Sequence, residues 1–537
     1  MSGIHMQRMK QCILVFLSAV LCLVLFADCF QVNSTEAATC YFKEEMDETE
    51  DYRACWISYI DIETYLKDKT EAAFIAKVNA MYDKIKNAGL NTVIVHTRAM
   101  GDAYYMSTYF PYSQALSTDR ICPDYDPYRI LVTLAHEKGL RFEAWINPYR
   151  ISNSDASTDS FMQTPYYEKY QSMLISFTGS NGTCLSLDPC SEDVQTLVCD
   201  SIKELLKEYP VDGIHFDDYF FVQGMGENLT TKQKTDAVNT LVKKVYACVK
   251  AWDKTLTLGI SPAGNPNYAR SQGADIDTWL SEDGYVDYVM PQIYWTDHYQ
   301  TENGEVMMFS DRMQQWETMH TNHAKLYIGL ALYRVGETSI QEPDWKQNND
   351  NLASQCSLAY QHGYDGFALF RYANLEDPRT ETERKRLLGF LQERNGIIQE
   401  NTDAYILYAS HMQTYGWQSV KKDGVVSGMP HGKKRLEAIR ICLGGKVKSG
   451  SVLYSVSEAG KPDAVWASDG DMAGSVGKSK SIDQIRIKLS GQAETSYDIL
   501  YRVYQSDTGW SDWHKNGDFA GDKNLQAFQI RLAKKTE

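Results

Sequence analysis

The chain has 537 residues and 12 cysteines, with 54 Lys+Arg against 70 Asp+Glu for a formal charge of −16. That length allows two to four domains at about 150 residues each, and the acidic surplus argues against nucleic-acid binding as the main task. With 43% hydrophobic residues and 18 Phe, 11 Trp and 35 Tyr, the composition excludes collagen, simple disorder and a small disulfide scaffold. Aromatic residues on this scale supply large cores, with rings to spare for flat recognition surfaces.

Residues 1–40 are read as a signal peptide and the start of a linker. Arg8 and Lys10 precede an unbroken apolar run from Cys12 to Ala27 (CILVFLSAVLCLVLFA), and polar residues follow. A basic start, a short apolar stretch and small residues near its end describe a secretory signal; the alternative is an uncleaved membrane anchor. Asp28 before Cys29 does not fit the small residue that a lipid-anchoring site needs. The expected location is therefore secreted, or on the cell surface or wall, with no membrane span after cleavage. Residues 41–52 form an acidic linker, since Glu44–Asp51 (EEMDETED) places six acids in eight residues. The remaining cysteines lack zinc-type pairing. Cys184 and Cys190 are close enough in sequence to bridge in an oxidising compartment; buried free thiols are the other reading.

From residue 53 to about 398, short β-rich runs alternate with amphipathic helices. The runs are ACWISYI, NTVIVHTR, RFEAWINPYR, DGIHFDDY, LTLGISPAG, YVMPQIYW, KLYIGLALY and FALFRYANL. Helices are predicted over Glu71–Asn87, Ile130–His136 and Val194–Lys207, two of them closed by Gly89 and Gly139. Eight strands in strict alternation with helices predict an α/β fold, a closed (β/α)8 barrel of the TIM type. No G-x-G-x-x-G or G-x-x-x-x-G-K-[ST] follows a strand, which removes the usual reasons for an open doubly wound sheet.

Residues 402–537 differ in character. From residue 401 onward there are 19 Lys+Arg against 15 Asp+Glu, net +4, whereas the first 400 residues carry 35 against 55, net −20. This tail repeats itself. Val420, Trp466 and Trp513 are each followed four residues on by Gly424, Gly470 and Gly517, and four further on by Gly428, Gly474 and Gly521. The repeat length, about 46 residues, lies in the range of repeat modules. Alternating strands open and close each unit, predicting three β-rich repeats at about 402–444, 450–490 and 496–533.

Working residues of such a barrel sit at the C-terminal ends of its strands. The second strand ends in His96-Thr97-Arg98 and runs on to Asp102. The third carries Glu143, Trp145 and Asn147 on one face. The fourth carries His215 and Asp217, with Asp218 and Tyr219 at the lip. The fifth leads to Asn265, the sixth to Gln292, Tyr294 and Trp295, and the eighth to Arg371. Carboxylates mixed with Trp, Tyr and amides are what glycoside cleavage requires: one acid protonates the leaving oxygen while another carboxylate attacks or activates water. Asp217, Asp218 and Glu143 are the candidate catalytic groups, with burial near Glu143 expected to split their pKa values. Arg98, Asp102, Trp145, Asn147, His215, Tyr219, Asn265, Gln292, Tyr294, Trp295 and Arg371 are candidates for holding substrate. A structural hydrogen-bonded layer inside the barrel is the alternative for each of them. No H-E-x-x-H or tight metal spacing occurs, so neither metal nor cofactor is expected.

The stretches VHTRAMGDAYYMSTYFPYSQAL, DYDPYRILVTLAHEKGLRFEAWINPYR, VDGIHFDDYFF, GISPAGN, YVMPQIYW and GFALFRYANL resemble the bacterial glycosyl-hydrolase-like family ten over residues 53–395. The resemblance implies a (β/α)8 fold and hydrolysis of glycosidic bonds; some relatives are connected with cutting peptidoglycan glycan strands that have lost their stem peptides. The family's DDY motif falls on Asp217, Asp218 and Tyr219, its R…GDA motif on Arg98 and Asp102, its AW-NPYR motif on Trp145, Asn147 and Arg150, and its PQ-YW motif on Gln292, Tyr294 and Trp295. Two departures stand out: Glu143 where the pattern has His, and NPNYAR after SPAG where it has a Trp-containing stretch.

The tail resembles the clostridial hydrophobic repeat with its tryptophan (ChW), in three tandem copies: GWQSVKKDGVVSG, VWASDGDMAGS and GWSDWHKNGDFAG. That resemblance implies a Gram-positive source and a region that binds wall polymers or surface proteins. Trp417, Trp466, Trp510 and Trp513 are read either as core or as rings that stack on sugars. The leading expectation is a secreted endo-acting glycosidase acting on a wall glycan or related polysaccharide, with the repeats holding it near its polymer. Two others are kept: a surface carbohydrate-binding protein on a barrel that has lost catalysis, and cleavage by elimination.

Overall fold

The computed structural model describes residues 51–401, 404–430, 432–445, 450–458 and 465–535. The predicted signal segment and the acidic linker up to residue 50 lie outside the described residues. Eight strands form the barrel: β1 Tyr52–Ile57, β2 Thr92–Arg98, β3 Arg141–Ile146, β4 Gly213–Phe216, β5 Thr257–Ile260, β6 Tyr288–Val289, β7 Lys325–Leu330 and β8 Gly366–Leu369. They pair in chain order, all parallel, and β8 closes on β1 through Tyr52↔Gly366 to Cys55↔Leu369. The expected closed barrel is the observed one. Its strands are buried on both faces, which is why most read as continuous apolar runs. The sixth is the exception, shortened to two residues because Pro291 follows, although Gln292 still bridges Ala263 and Gly329.

Helices cover the outside: α1 Glu71–Asn87, α2 Pro127–Glu137, α3 Glu192–Glu208, α4 Thr231–Trp252, the short α5 Ile276–Trp279, α6 Met308–Met319, α7 Asn351–Gln361 and α8 Glu381–Asn401. α1 has the predicted bounds and buries Phe74, Val78, Met81, Tyr82 and Ile85, the stripe of an amphipathic helix. α2 starts three residues before its predicted start. Asp126 caps it, accepting from Arg129 N at 3.0 Å, and Pro127 occupies its first turn, where the missing N–H costs nothing. Between β3 and α3 the chain adds an antiparallel hairpin, Leu174–Gly179 with Gly182–Leu187, which the helix–strand alternation did not signal. Cys184 and Cys190 are free thiols, the first buried and the second exposed.

The tail builds six longer strands: β9 Tyr405–Met412, β10 Leu436–Gly444, β11 Val452–Glu458, β12 Ile482–Leu489, β13 Tyr497–Gln505 and β14 Leu525–Lys534. They pair as three antiparallel ribbons, one per repeat. Each repeat also lends its middle segment to a neighbour. Ser427–Gly428 of the first pairs with β14 of the third, Ala473–Gly474 of the second with β10 of the first, and Ala520 of the third bridges Ile485 on β12 of the second. The three repeats therefore close into a ring. The second glycine of each unit makes this contact. Gly428, Gly474 and Gly521 all have φ between +99° and +107°, and a Cβ there would meet a neighbouring carbonyl oxygen at 2.4, 2.4 and 2.7 Å. Tyr408, Tyr454 and Tyr501 take equivalent buried places and donate to Val425, Asp471 and Asp518 carbonyls.

The tryptophans are half-buried, outside that central core, each beside a cation: Trp417 under Arg440 at 4.6 Å, Trp466 under Arg486 at 4.5 Å, Trp510 under Arg502 at 4.7 Å and Trp513 under Arg531 at 4.5 Å.

The first repeat seats against the N-terminal face of the barrel. Asp212, just before β4, accepts from His136 Nε2 at 2.9 Å, Phe142 N at 2.8 Å, Ser419 Oγ at 2.5 Å and Lys421 Nζ. Burial alone would raise this carboxyl, but Lys421, His136 and Arg141 carry it well below the usual range. Tyr415 adds a hydrogen bond to the Glu208 carbonyl. Lys421→Met strips a buried carboxylate of its main counter-charge, and the expected cost is about 3 kcal/mol at pH 7. Because the folded pKa of Asp212 is depressed, that stability is present above about pH 4 and fades as the pH falls further. Urea unfolding of variant and wild type at pH 7 and pH 3 checks both, with the difference expected to shrink at pH 3.

Candidate active site

The site is assembled at the C-terminal mouth of the barrel, where β4 delivers two adjacent aspartates. Asp217 follows the last strand residue, Phe216, and is 5% exposed. The register Trp145↔His215 between β3 and β4 brings Asn147 opposite it. Asn147 Nδ2 and Tyr219 N donate to Asp217 Oδ1 at 2.9 and 3.1 Å, and Trp145 Nε1 donates to Oδ2 at 3.2 Å. Each donor is itself fixed. Asn147 Oδ1 accepts from Arg150 N at 2.9 Å, so its amide nitrogen must face the carboxylate. The Trp145 indole stacks on His96 with centroids 3.4 Å apart, and His96 Nδ1 accepts from Tyr59 N.

Asp218 is half-buried beside it. Burial first, then the charge of Asp217, push its carboxyl up to about 7, against the opposing pull of a Gln292 hydrogen bond and of Arg150. Burial raises Asp217 as well, but Arg150 and three hydrogen-bond donors hold it back. The pair therefore divides its roles: the negative charge rests on Asp217 and the proton on Asp218. Arg150 is locked by its Nε donating to Ala99 O at 2.7 Å, with its guanidinium 4.3 Å from the Tyr219 ring. Gln292 is aimed by donating to Ser261 O at 2.8 Å.

Glu143 is not part of this group. It pairs in register with Gly213, four residues before Asp217, or about 13 Å further down the strand. There it is fully buried, accepting from Tyr288 OH and from Thr257 Oγ1 at 3.2 Å, with Arg141 3.7 Å away. The period-two pattern placed it on the inward face correctly but carries no information on depth. His215 lies between the layers. Its Nε2 accepts from Trp56 Nε1 at 3.3 Å and lies 3.0 Å from Ser261 Oγ, so the proton sits on Nδ1 and faces Tyr288 OH at 2.7 Å. Burial takes its pKa down to about 3, which leaves it neutral and without an acid–base role at ordinary pH.

The remaining candidates take varied places. Arg98 donates to Pro148 O at 3.0 Å and stacks over Phe110 at 4.5 Å, tying loops together beneath the mouth. Burial lowers it to about 10. Asp102 accepts from Ser113 Oγ at 2.6 Å and borders a separate pocket of about 190 Å³ with Glu63 and Arg120. Asn265 caps the helix Pro266–Ser271, accepting from Asn267 N and Tyr268 N. Arg371 pairs with Asp61 at 2.5 Å and reaches Ser58 Oγ at 3.2 Å. Tyr294 keeps a buried hydroxyl within reach of the Asp218 charge, and Trp295 is half-buried on the same loop.

Sequence reasoning left Arg150 out of the candidate set, although the AW-NPYR motif marked it. It also missed Tyr268 and Gln272. Those two line a cleft of about 490 Å³ that opens from Asp218 and Tyr219 and is walled by the hairpin. The NPNYAR departure contains Tyr268 but stops two residues short of Gln272, which no motif marked.

The glycosyl hydrolase-like 10 profile matches residues 51–235 and 225–347, and the clostridial hydrophobic W profile matches 411–445 and 463–491. The glycosyl hydrolase DigH of Escherichia coli strain K12 is 29% identical over 360 residues, covering 59% of this chain and 80% of its own length. The glycosyl hydrolase YngK of Bacillus subtilis strain 168 is 27% identical over 300 residues, covering 49% of this chain and 56% of its own. The structure of a family 18 N-acetylglucosaminidase from Paenibacillus barengoltzii aligns over 63% of this chain and 99% of its own, at 11% identity and a TM-score of 0.39. A likeness that loose carries nothing about the site.

The division of charge is open to direct measurement. Asp217→Asn removes the neighbouring negative charge, so the Asp218 pKa is expected to fall from about 7 toward the usual carboxylate range while staying above it, because burial persists. A carboxyl carbon-13 NMR titration reads the shift.

Proposed function

The chain belongs to the glycosyl hydrolase-like 10 family, and from that premise we propose that it is a secreted glycosidase cutting a bacterial wall glycan, with peptide-free peptidoglycan strands as the first-choice substrate. The observation that carries the reading is the adjacent pair of carboxyls at the barrel mouth, Asp217 held by three hydrogen-bond donors and Asp218 pushed up to about 7 by burial and by the charge of Asp217. Asp218 donates its proton to the glycosidic oxygen as the bond to the anomeric carbon breaks and the leaving sugar departs as an alcohol; water supplies the hydroxyl that bonds to that carbon and the proton that restores Asp218. Asp217, anchored by Asn147, Trp145 and the Tyr219 amide, supplies the negative charge that opposes the positive charge developing at the anomeric carbon. Arg150, its guanidinium over the Tyr219 ring, opposes the effect of burial on Asp217, and Tyr294 and Trp295, both half-buried on the loop after β6, offer ring surface to sugars along the mouth.

Support for the substrate and the location is of other kinds. The basic-apolar segment of residues 1–40 fits export, and the repeats carry a net positive charge suited to an anionic wall polymer. No helix among the described residues is long and apolar enough to cross a membrane.

The test is product release by mass spectrometry. Wild type, Asp218→Asn and Asp217→Asn are each incubated with peptide-free peptidoglycan glycans, intact sacculi and neutral polysaccharides. Wild type is expected to release sugar fragments, and Asp218→Asn to lose about 10²–10⁴-fold in rate. The wild-type kcat/KM should fall as the pH rises through about 7, because the donor loses its proton there. If no polymer is cut while the protein still pellets with one of them, a non-catalytic carbohydrate-binding protein is the better reading.

A further inference from the structure

The cleft beside Asp218 is built more specifically than a generic sugar groove. Its back is formed by Gln272, which ends the helix Pro266–Ser271 and is 8% exposed. Gln272 Nε2 donates to Tyr268 OH at 3.0 Å, which fixes the amide and leaves Oε1 as a bare acceptor; that oxygen is buried and has no hydrogen-bond partner. Its backbone is held as well, the carbonyl accepting from Phe221 N at 3.0 Å. A buried carbonyl without a donor is costly, and such groups in native proteins call for an explanation.

The surroundings suggest which donor is missing. Tyr268 is 52% exposed, a bare ring at the cleft edge. Phe177 and Val222 line the same cleft and provide apolar surface, and Asn153 and Asn181 provide amides. Apart from Asp218, no lining side chain carries a charge. The wall is firm: a Cβ on Gly224 would meet Thr178 O at 2.6 Å, so the hairpin tip rests directly on the loop after β4. An acceptor for one N–H, an apolar patch for a methyl and an open ring for a sugar face together match an acetamido group on a pyranose. A plain hexose presents a hydroxyl there and leaves the apolar patch unfilled.

We propose that this cleft is a subsite for an uncharged 2-acetamido sugar, with Gln272 Oε1 accepting the amide N–H and Tyr268 stacking on the ring. The assignment rests on the glycosidase reading for its place in the reaction, but it can be tested without turnover. Asp217 does not itself line the cleft, and the change in Asp218 charge that Asp217→Asn brings is common to both sugars, so calorimetry on that variant compares N-acetylchitotetraose with cellotetraose. The acetylated sugar is expected to bind at least about tenfold more tightly, the scale of one neutral hydrogen bond with its apolar contact.

Adding Gln272→Leu should cost about tenfold for the acetylated sugar and little for cellotetraose. Gln272→Glu, which keeps an acceptor, should retain the preference. Tyr268→Phe changes only an exposed side chain and frees the amide to turn, so it should erode the preference even if Gln272→Leu folds poorly. Equal affinities for the two sugars, or a preference that survives both Gln272→Leu and Tyr268→Phe, would overturn the subsite. Acetamido-selective binding with no cleavage by wild type would retain the subsite and remove the glycosidase reading. Cleavage without acetamido selectivity would do the reverse.

Discussion

Two neighbouring carboxyls cannot both carry a full charge in a buried strand end, and much of the polar interior is arranged around that repulsion. Asp217 is surrounded by donors, each held by a second contact: Asn147 by the Arg150 amide, Trp145 by the His96 ring, and Tyr219 by stacking under Arg150. The environment thus defines which acid keeps its proton. Beneath the pair, a neutral His215, Tyr288 and Glu143 form a hydrogen-bonded column that fills the barrel and introduces no charge close to the aspartates. The column is scaffolding: its uppermost member, His215, is neutral, and the charges of Glu143 and Arg141 lie in the lower layer, away from the pair above.

The architecture was legible because its signals are periodic. Eight apolar runs, helices with a stripe like that of α1, and glycines at helix ends left little freedom in topology. The candidate site was legible by face but not by height. Alternation along RFEAWIN set Glu143, Trp145 and Asn147 on one side of β3, yet only the pairing register shows that Glu143 belongs to a lower layer. Roles that depend on partners far away in sequence were invisible for the same reason. Nothing local to Arg371 announces Asp61, more than 300 residues away, and nothing local to Gln272 announces a hairpin contributed between β3 and α3.

The tail was read from its glycine spacing, and the structure supplies the reason for that spacing. The second glycine of each unit stands where one repeat's backbone passes within touching distance of the next and records a contact between repeats, whereas the first, Gly424, Gly470 or Gly517, takes a positive φ in a turn of its own unit. The tryptophans, read as core or as sugar platforms, occupy a third position, stacked under cations at the rim of each unit. Docking through Asp212 then fixes this unit to the face of the barrel opposite the aspartates. A polymer bound by the repeats would have to pass around the barrel to reach the mouth, a geometry suited to long strands and poorly suited to short fragments.

The cyclic exchange of middle segments has a consequence for copy number. In an open stack of repeats, each end needs a capping unit and units can be added or removed one at a time. Here each closing strand is completed by a segment from another repeat, and the third returns to the first. Such a closure has no ends and admits no fourth member without being rebuilt. Divergence among the copies, such as Val420 standing where the others have tryptophan, is therefore tolerated more readily than gain or loss of a whole unit. Three is set by geometry.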